Sequence, residues 1–231
     1  GRRGGGGDAA EAVANGGRKA AQNGHGAANG AAGASASKAA VPSAKPASGG
    51  GWASSPVLEV LPYAVALWAA AATLWYQGWD LRPQQVSANK PYADFESFFP
   101  FYMTEHAVEN NRRMHLVGTT LVVLLTLREP ALILAASMGA SVGYCLTPLL
   151  MGLDTGAVEG LAMVAVFLLA TRKLTGRWSP GVAVLFLGYS WAWVGHFFIE
   201  QNKPASFIYP VYSLFGDFRM WFNVVTGRLA F

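Results

Sequence analysis

Charged side chains are scarce in this chain of 231 residues, at 13% against about 25% in typical soluble proteins, whereas hydrophobic residues make up 52%. Residues 51–231 hold eleven cationic and eleven anionic side chains, so the formal net charge of +4 arises within the first 50 residues. No basic stripe is therefore available to bind a nucleic-acid backbone. These shortages exclude a nucleic-acid-binding protein and indicate a membrane protein.

Cysteine is nearly absent, since Cys145 is the only one in the chain. A single cysteine excludes an internal disulfide, and inside an apolar run a free thiol usually packs as a small hydrophobic side chain. Residues 1–51, rich in Gly, Ala and Ser, lack both a periodic apolar face and the continuous apolar core of a secretory signal. Too little apolar surface is present there to offset the entropy lost on ordering, so we expect a disordered tail.

The chain is rich in long apolar runs. Three of them, at residues 57–79, 131–153 and 181–199, contain 23, 23 and 19 residues. At about 1.5 Å per residue, helices of these lengths match the roughly 30 Å of a bilayer's hydrocarbon core. Two shorter runs, at 115–127 and 157–170, reach only about 20 Å and are expected to be half-spans, tilted partners or re-entrant segments. We therefore predict an all-α membrane protein with four to five embedded helices joined by short loops.

Two aromatic segments lie outside these runs. Residues 95–102 (FESFFPFY) are amphiphilic, and we expect them to lie on the bilayer surface rather than to cross it. Residues 204–231 are expected to be loop-like, with a turn at Gly216-Asp217. Asp217 and Arg219 are expected to form a surface ion pair there, which contributes little to stability.

Histidines occur in two polar clusters that are far apart in sequence. His196 and Glu200 are four residues apart near the end of the third long run, so on a helix they share one face. Such groups are costly at membrane depth unless they are paired, hydrated or bound to a ligand. His106 and His115 are nine residues apart, which places them on opposite faces of a continuous helix. They can share a ligand only if the helix breaks between them, and Asn110-Asn111 is a favourable N-cap for a second helix.

The residues themselves leave three interpretations open. Neutral imidazole is a good ligand for Fe, Zn or Cu, and the neighbouring carboxylates of Glu105, Glu109 and Glu200 suit the orientation of such ligands. No tight motif such as HExxH is present, however. The same histidines could be the axial ligands of a haem electron carrier, or structural residues of a non-catalytic membrane scaffold.

Two long motifs resemble those of a known family. The stretches FYMTEHAVENNRRMHLVGT and WAWVGHFFIEQNKPA, the latter followed by YPVYSLFGDFRMW, are similar to the opening and closing motifs of the Mpo-type 2-hydroxy fatty acid dioxygenases. The likeness extends over residues 92–221. It implies a small multi-span protein of the endoplasmic reticulum membrane that uses ferrous iron and O₂. The implied reaction shortens 2-hydroxy fatty acids by one carbon in the breakdown of phytosphingosine.

The resemblance also assigns site residues. It places the family's histidines on His106, His115 and His196, and our hypothesis is that these three side chains hold one Fe(II). Glu105 or Glu200 is then an alternative ligand or an orienting group. A 2-hydroxy acid can chelate the metal through its hydroxyl group and a carboxylate oxygen, which leaves one position for O₂.

Further polar residues of the two motifs are expected to contact the substrate. Arg112 suits the substrate carboxylate, because a guanidinium group matches a carboxylate through two parallel hydrogen bonds. The predicted catalytic residues are Glu105, Glu200 and Arg112, and the predicted substrate contacts are Arg112, Asn111, Asn202 and Trp193.

The predicted organisation has three parts. Residues 1–51 form the tail, residues 52–91 form an extra N-terminal span with a linker, and residues 92–231 form the dioxygenase-like membrane domain. The extra span is a departure from the family pattern. The expected partners are a 2-hydroxy fatty acid, O₂ and the lipid bilayer.

Overall fold

The computed structural model describes residues 55–77 and 83–229, and within these residues it contains α-helices and no strands. The helices are α1 (Pro56–Gln77), α2 (Phe95–Thr104), α3 (Glu109–Arg128), α4 (Ala131–Leu146), α5 (Ala157–Thr175), α6 (Ser179–Val194) and α7 (Pro210–Val225). The predicted all-α class is thus confirmed for the part of the chain that is described. The predicted tail, residues 1–51, lies outside the described residues.

Two antiparallel pairs of helices organise the fold. Helix α4 packs along α5, α3 packs along α6, α1 lies against α4 and α5, and α7 touches α2, α3 and α5. Glycines allow the closest approach: a Cβ atom on Gly139 would lie 2.8 Å from the carbonyl oxygen of Met163, and one on Gly143 would lie 2.3 Å from the sulfur of Met163. A side chain at Gly139 would push the backbones of α4 and α5 apart, whereas one at Gly143 would displace the flexible Met163 side chain.

The helix lengths differ from those predicted from the apolar runs. The run at 131–153 was expected to be one span, but α4 has 16 residues and gives way to a 3₁₀ turn at Pro148–Leu150. Proline lacks an amide hydrogen and disfavours helical geometry in the residue before it, which accounts for the break. Helices α3 and α5 have 20 and 19 residues, because polar residues continue each helix beyond its apolar run. At about 30 Å each, they are too long for the half-spans expected.

Two described helices are long and apolar enough to cross a bilayer. These are Pro56–Tyr76 and Ser179–Glu200, with mean hydropathies of 1.7 and 1.6. Much of their apolar surface faces outward, as at Tyr76 and Phe198, which are 88% and 77% exposed. Large exposed apolar surfaces mark sites of contact with lipid or protein. The prediction of four to five embedded helices is not confirmed by these two.

Both aromatic segments contain α-helices, although residues 204–231 were expected to be loop-like. Residues 95–102 belong to α2, which begins with a capping box between Asp94 and Ser97 and buries Phe98 and Tyr102. These two rings pack on α7, while Glu96, Ser97 and Pro100 on the same helix are exposed, and the expected position on the bilayer surface stays a prediction. Residues 204–231, expected to be loop-like, contain α7, with Gly216-Asp217 inside the helix.

A buried ion pair holds the connection before α2 to the start of α5. The ammonium group of Lys90 lies 3.0 Å from the carboxylate of Glu159, and both side chains are fully buried. Lys90 also donates a hydrogen bond to the carbonyl oxygen of Leu150 at 3.2 Å. Burying two charges is costly unless they are paired. The pair therefore holds the segment before α2 against the first turn of α5.

Candidate metal centre

The helix break required between His106 and His115 is present. Helix α2 ends at Thr104 and α3 begins at Glu109, so His106 lies in the connection and His115 lies in the second turn of α3. The expected N-cap at Asn110-Asn111 is wrong, because the N-cap is Val108, whose side chain makes no capping bond.

Glu200, about 90 residues away in sequence, caps the N-terminus of α3. Its carboxylate accepts hydrogen bonds from the backbone amides of Ala107 at 3.1 Å and Val108 at 3.0 Å, and from the side-chain amide of Asn111 at 3.2 Å. A carboxylate is stabilised at a helix N-terminus by the unpaired amides and the helix dipole. Both oxygens of Glu200 are thus engaged in joining the two motifs, and its predicted catalytic role stays a prediction.

His196 lies in an unusual turn at the end of α6. Residues Gly195–Glu200 form a π-helical turn, a feature that is frequent at functional sites. The turn ends at Gln201, whose φ of 58° is the left-handed conformation. This reversal lets the backbone amide of Asn202 donate to the carbonyl oxygen of His196 at 3.0 Å, and it returns the Asn202 side chain to the His196 ring.

The three imidazole rings converge in the interior. The Nε2 atoms of His106 and His115 lie 3.2 Å apart, and one ligand atom from each of the three histidines lies within 4.8 Å of the others. All three side chains are buried, none being more than 5% exposed. Histidines that are 90 residues apart in sequence therefore share one small volume.

The second nitrogen of each ring is held by an oxygen atom. Nδ1 of His106 lies 2.6 Å from the carbonyl oxygen of Tyr102. Nδ1 of His115 lies 2.6 Å from Oδ1 of Asp217, and Nδ1 of His196 lies 2.7 Å from Oδ1 of Asn202. Each of these oxygens accepts a hydrogen bond, so each neutral ring carries its proton on Nδ1 and presents the lone pair of Nε2.

The orientation of the Asn202 amide follows from its own contacts. Its Nδ2 atom donates to the backbone carbonyl of Glu105 at 3.0 Å and to the Glu105 carboxylate at 2.9 Å, which places Oδ1 toward His196. Burial raises the pKa of Glu105, and the hydrogen bond from Asn202 opposes this rise. Glu105 thus acts on His196 through Asn202.

This donor set fits a metal ion. Imidazole nitrogens lie about 2.0–2.1 Å from a bound metal such as zinc, so adjacent ligand nitrogens in tetrahedral or octahedral sites are roughly 3.0–3.4 Å apart. The 3.2 Å separation of the His106 and His115 Nε2 atoms agrees with this spacing. If both rings are neutral with their protons on Nδ1, the two Nε2 lone pairs face each other, and a cation between them relieves their repulsion. Three neutral imidazoles suit Fe, Zn or Cu and leave coordination positions for substrate.

The same geometry disfavours haem. The three rings touch edge to face, with centroids 4.4, 4.7 and 5.0 Å apart. No space remains between any two of them for a porphyrin. The interpretation of two histidines as axial haem ligands therefore does not fit this arrangement.

Electrostatics around the cluster also favour a cation. Burial lowers the pKa of His106 to about 3, and the neighbouring His115 adds to this effect, so His106 is neutral at physiological pH. Burial opposes the ionisation of Asp217, but interactions with His115 and Tyr102 outweigh burial and lower the pKa of Asp217. A carboxylate that stays ionised behind His115 raises the basicity of that ring as a ligand.

Asp217 and Tyr102 were missed by the sequence reasoning. Arg219 pairs with Glu96 at 2.8 Å, so the expected Asp217–Arg219 ion pair is wrong. Asp217 instead accepts hydrogen bonds from His115 and, at 2.6 Å, from the hydroxyl of Tyr102. Apolar residues at positions 211, 215, 218 and 222 have helical spacing, which would have placed Asp217 on a helix.

Two residues predicted to contact substrate make hydrogen bonds at the start of α3. The guanidinium group of Arg112 donates to the carbonyl oxygens of His106 at 2.9 Å and Ala107 at 2.6 Å. Asn111 binds Glu200, and its Oδ1 atom lies against Gly195, where a Cβ atom would come within 2.0 Å. Their predicted roles toward substrate stay predictions.

An apolar cavity of about 190 Å³ leads away from the histidines. Helices α3 to α7 contribute to its walls. Trp193 is among the lining residues, whereas Arg112, Asn111 and Asn202 are not. The cavity also exposes Ser213, whose hydroxyl is buried and has no hydrogen-bond partner among the described residues. Three histidines with the spacing of metal ligands thus line an apolar pocket.

One comparison with known proteins gives a match. A family model described as "2-hydroxy-palmitic acid dioxygenase Mpo1-like" matches residues 92–151 and 157–229, which is more than half of the chain and includes all three histidines. Helix α1 lies outside the matched residues. Searches of curated proteins and of solved structures gave no significant match.

Proposed function

The chain belongs to the 2-hydroxy-palmitic acid dioxygenase Mpo1-like family, and from that premise we propose that it is an Fe(II)-dependent enzyme that shortens 2-hydroxy fatty acids by one carbon. The observation that carries the proposal is the convergence of three buried histidine side chains on the wall of an apolar cavity. The first feature suits a metal, and the second suits a fatty acyl chain.

His106, His115 and His196 would hold the iron. Ferrous iron at this position would supply coordination sites for O₂ and for the hydroxyl and carboxylate oxygens of a 2-hydroxy acid. The protein's part is to keep three lone pairs aimed at one point, through the oxygen acceptors on each Nδ1.

The cavity binds the rest of the substrate. Its walls are largely aliphatic and aromatic, and each buried CH₂ group of an acyl chain contributes about 0.8 kcal/mol. These walls also exclude water from the histidines. A lipid substrate explains why the pocket lies among helices with outward-facing apolar surfaces.

Ser213 is positioned to bind the polar head of the substrate. It is four residues before Asp217 on α7, so both side chains share one helix face, and both line the cavity. The residue is 5% exposed, and its buried hydroxyl has no hydrogen-bond partner within the part of the chain that the structure describes. A buried hydroxyl without a partner is costly, and we assign it as a donor to a substrate oxygen.

The reaction balances with one molecule of O₂. A 2-hydroxy acid and O₂ give the acid one carbon shorter, CO₂ and water. The bond between C1 and C2 breaks, C2 is oxidised from an alcohol to a carboxylic acid, and O₂ accepts the electrons. We place this activity in the lipid bilayer, in the endoplasmic reticulum membrane, with fatty acid α-oxidation in phytosphingosine breakdown as its context.

The decisive experiment uses full-length protein purified in detergent and loaded with Fe(II) without oxygen. On admission of air with 2-hydroxypalmitate, we expect pentadecanoic acid and an equal amount of CO₂, measured by mass spectrometry. Palmitate, which lacks the hydroxyl group, should remain unchanged. The variant His115→Ala should neither retain iron nor form product.

Two results would contradict the proposal. One is wild-type protein with stoichiometric iron that leaves 2-hydroxypalmitate intact. The other is a folded His196→Ala variant with full activity, which would make the histidines structural.

A further inference from the structure

We propose that Phe167 closes the far end of the cavity and sets the longest acyl chain that the site accepts. This inference rests on the proposed function, because it assigns the apolar part of the cavity to the alkyl chain of a 2-hydroxy acid. It goes further in naming the residue that limits chain length.

The cavity runs along one face of α6. Val184, Gly188, Ala192 and His196 all line it, and their spacing of four residues places them on a single stripe of the helix. Twelve residues separate Val184 from His196, which corresponds to about 18 Å along the helix axis. A bilayer core of about 30 Å holds two layers of acyl chains, so one long lipid chain extends about 15 Å. The cavity therefore has the length of one acyl chain, with its head at the histidines.

Helix α5 shows where the cavity stops. Gly160, in the first turn of α5, lines the cavity close to Pro210, and Phe167 lines it seven residues further along, about 10 Å deeper. Phe167 is only 6% exposed and belongs to the hydrophobic cluster that contains Leu132 and Ala135 of α4. One side of its ring thus faces the cavity, and the rest packs against the cluster.

Phe167 has little freedom to move aside. The backbone of α4 passes beside it at Gly139, where a Cβ atom would lie 3.2 Å from the Cβ atom of Phe167. Behind it, the same cluster includes Val60 and Ala64 of α1. A longer chain would collide with the ring of Phe167, so the volume of residue 167 limits the chain length.

Three variants test the inference. Phe167→Leu deepens the cavity with a modest loss of packing, and Ala140→Leu, at a small lining residue of α4, fills its middle. Phe186→Leu is the matched control, because Phe186 on α6 is 69% exposed and does not line the cavity. Each protein is assayed with a homologous series of saturated 2-hydroxy acids.

We expect the preferred length to rise by about one carbon in Phe167→Leu and to fall in Ala140→Leu. The ratio of kcat/KM between acids that differ by one methylene should change about fourfold in each case. Phe186→Leu should keep the wild-type profile. Because the two cavity variants shift the optimum in opposite directions, a folding defect in one of them leaves the other decisive.

Binding separates this inference from the proposed function. The same series is titrated calorimetrically without oxygen, so that chain-length preference is measured whether or not turnover occurs. Unchanged length profiles in both cavity variants, for binding or for turnover, would overturn the role of Phe167. Failure of iron-loaded wild-type protein to convert any acid would overturn the proposed function. A shift in the chain length that binds best would still support Phe167 as the residue that limits chain length.

Discussion

At the scale of single residues, the oxygen atoms behind the histidines decide what the rings can do. Each Nδ1 hydrogen bond selects the tautomer whose Nε2 lone pair faces the cluster. Asp217 differs from the other two acceptors because it is a carboxylate, and it holds Tyr102 and His115 through the same oxygen. It thus places a negative charge in direct contact with one of the three rings.

The first prediction concerns Asp217. Asp217→Asn keeps the shape and one acceptor but removes the charge, and we expect the affinity for Fe(II) to fall about 10- to 100-fold, measured by metal titration after equilibrium dialysis. The matched control is Asp154→Asn, whose carboxylate bonds Ser87 away from the histidines. Equal affinities in the two variants would refute the role of Asp217.

The second prediction concerns Ser213. Ser213→Ala removes one hydrogen bond to the substrate, so KM for 2-hydroxypalmitate should rise about fivefold while iron content stays at the wild-type level. Thr171→Val is the control, because Thr171 also has a buried hydroxyl without a partner but does not line the cavity. A Ser213→Ala enzyme with unchanged KM would remove Ser213 from the binding site.

At the scale of elements, the connection between α2 and α3 is built by residues from two motifs. Glu200 caps α3 from the π-helical turn, and Arg112 binds the carbonyl oxygens of the connection. Asn111 joins these parts, since it bonds Glu200 and packs against Gly195. Glu200, Arg112 and Asn111 were predicted to act in catalysis or substrate binding. Their hydrogen bonds hold the π-helical turn that carries His196 and the connection that carries His106.

The third prediction tests this junction. Gly195→Ala puts a Cβ atom on top of Oδ1 of Asn111, so Asn111 must move and loosen Glu200. Overpacking of this kind costs about 1–3 kcal/mol, and both the thermal midpoint and the iron content should fall. Gly188→Ala on α6 meets nothing closer than 3.7 Å, so it should keep the iron content and should not lower the thermal midpoint. If the two alanine variants behave alike, the close contact at Gly195 is not needed.

At the scale of the whole molecule, packing of α3 along α6 brings the motifs together. Gly118 makes this possible, because a Cβ atom there would lie 3.0 Å from Cβ of Trp191. Helix α7 completes the site by contributing Asp217 and Ser213. The buried Lys90–Glu159 pair ties the segment before α2 to the first turn of α5, the helix that also carries Phe167.

The fourth prediction concerns that pair. Lys90→Met leaves Glu159 buried without a cation, so thermal unfolding in detergent should show a loss of about 3–5 kcal/mol, most of it recovered in Lys90→Met/Glu159→Leu. The control Lys173→Met breaks the exposed pair with Glu59 and should cost at most about 1 kcal/mol. Equal losses in the two lysine variants would show that burial does not govern this pair.

The amino-acid sequence by itself determined the helical class, the importance of three histidines and the need for a helix break between His106 and His115. These follow from composition, apolar run length and the angular spacing of residues, which are local properties. Helix ends were less predictable, because Pro148 and the polar ends of α3 and α5 changed their lengths.

Only the tertiary structure decided which atoms meet. Whether Glu200 caps α3, whether Asp217 pairs with Arg219 or with His115, and which residues line the cavity all depend on contacts between distant segments. Such contacts are set by how the helices pack, and helix packing depends on side-chain volume along whole faces. The positions of Gly118, Gly139 and Gly195 show this dependence, because each allows an approach that any larger residue would prevent.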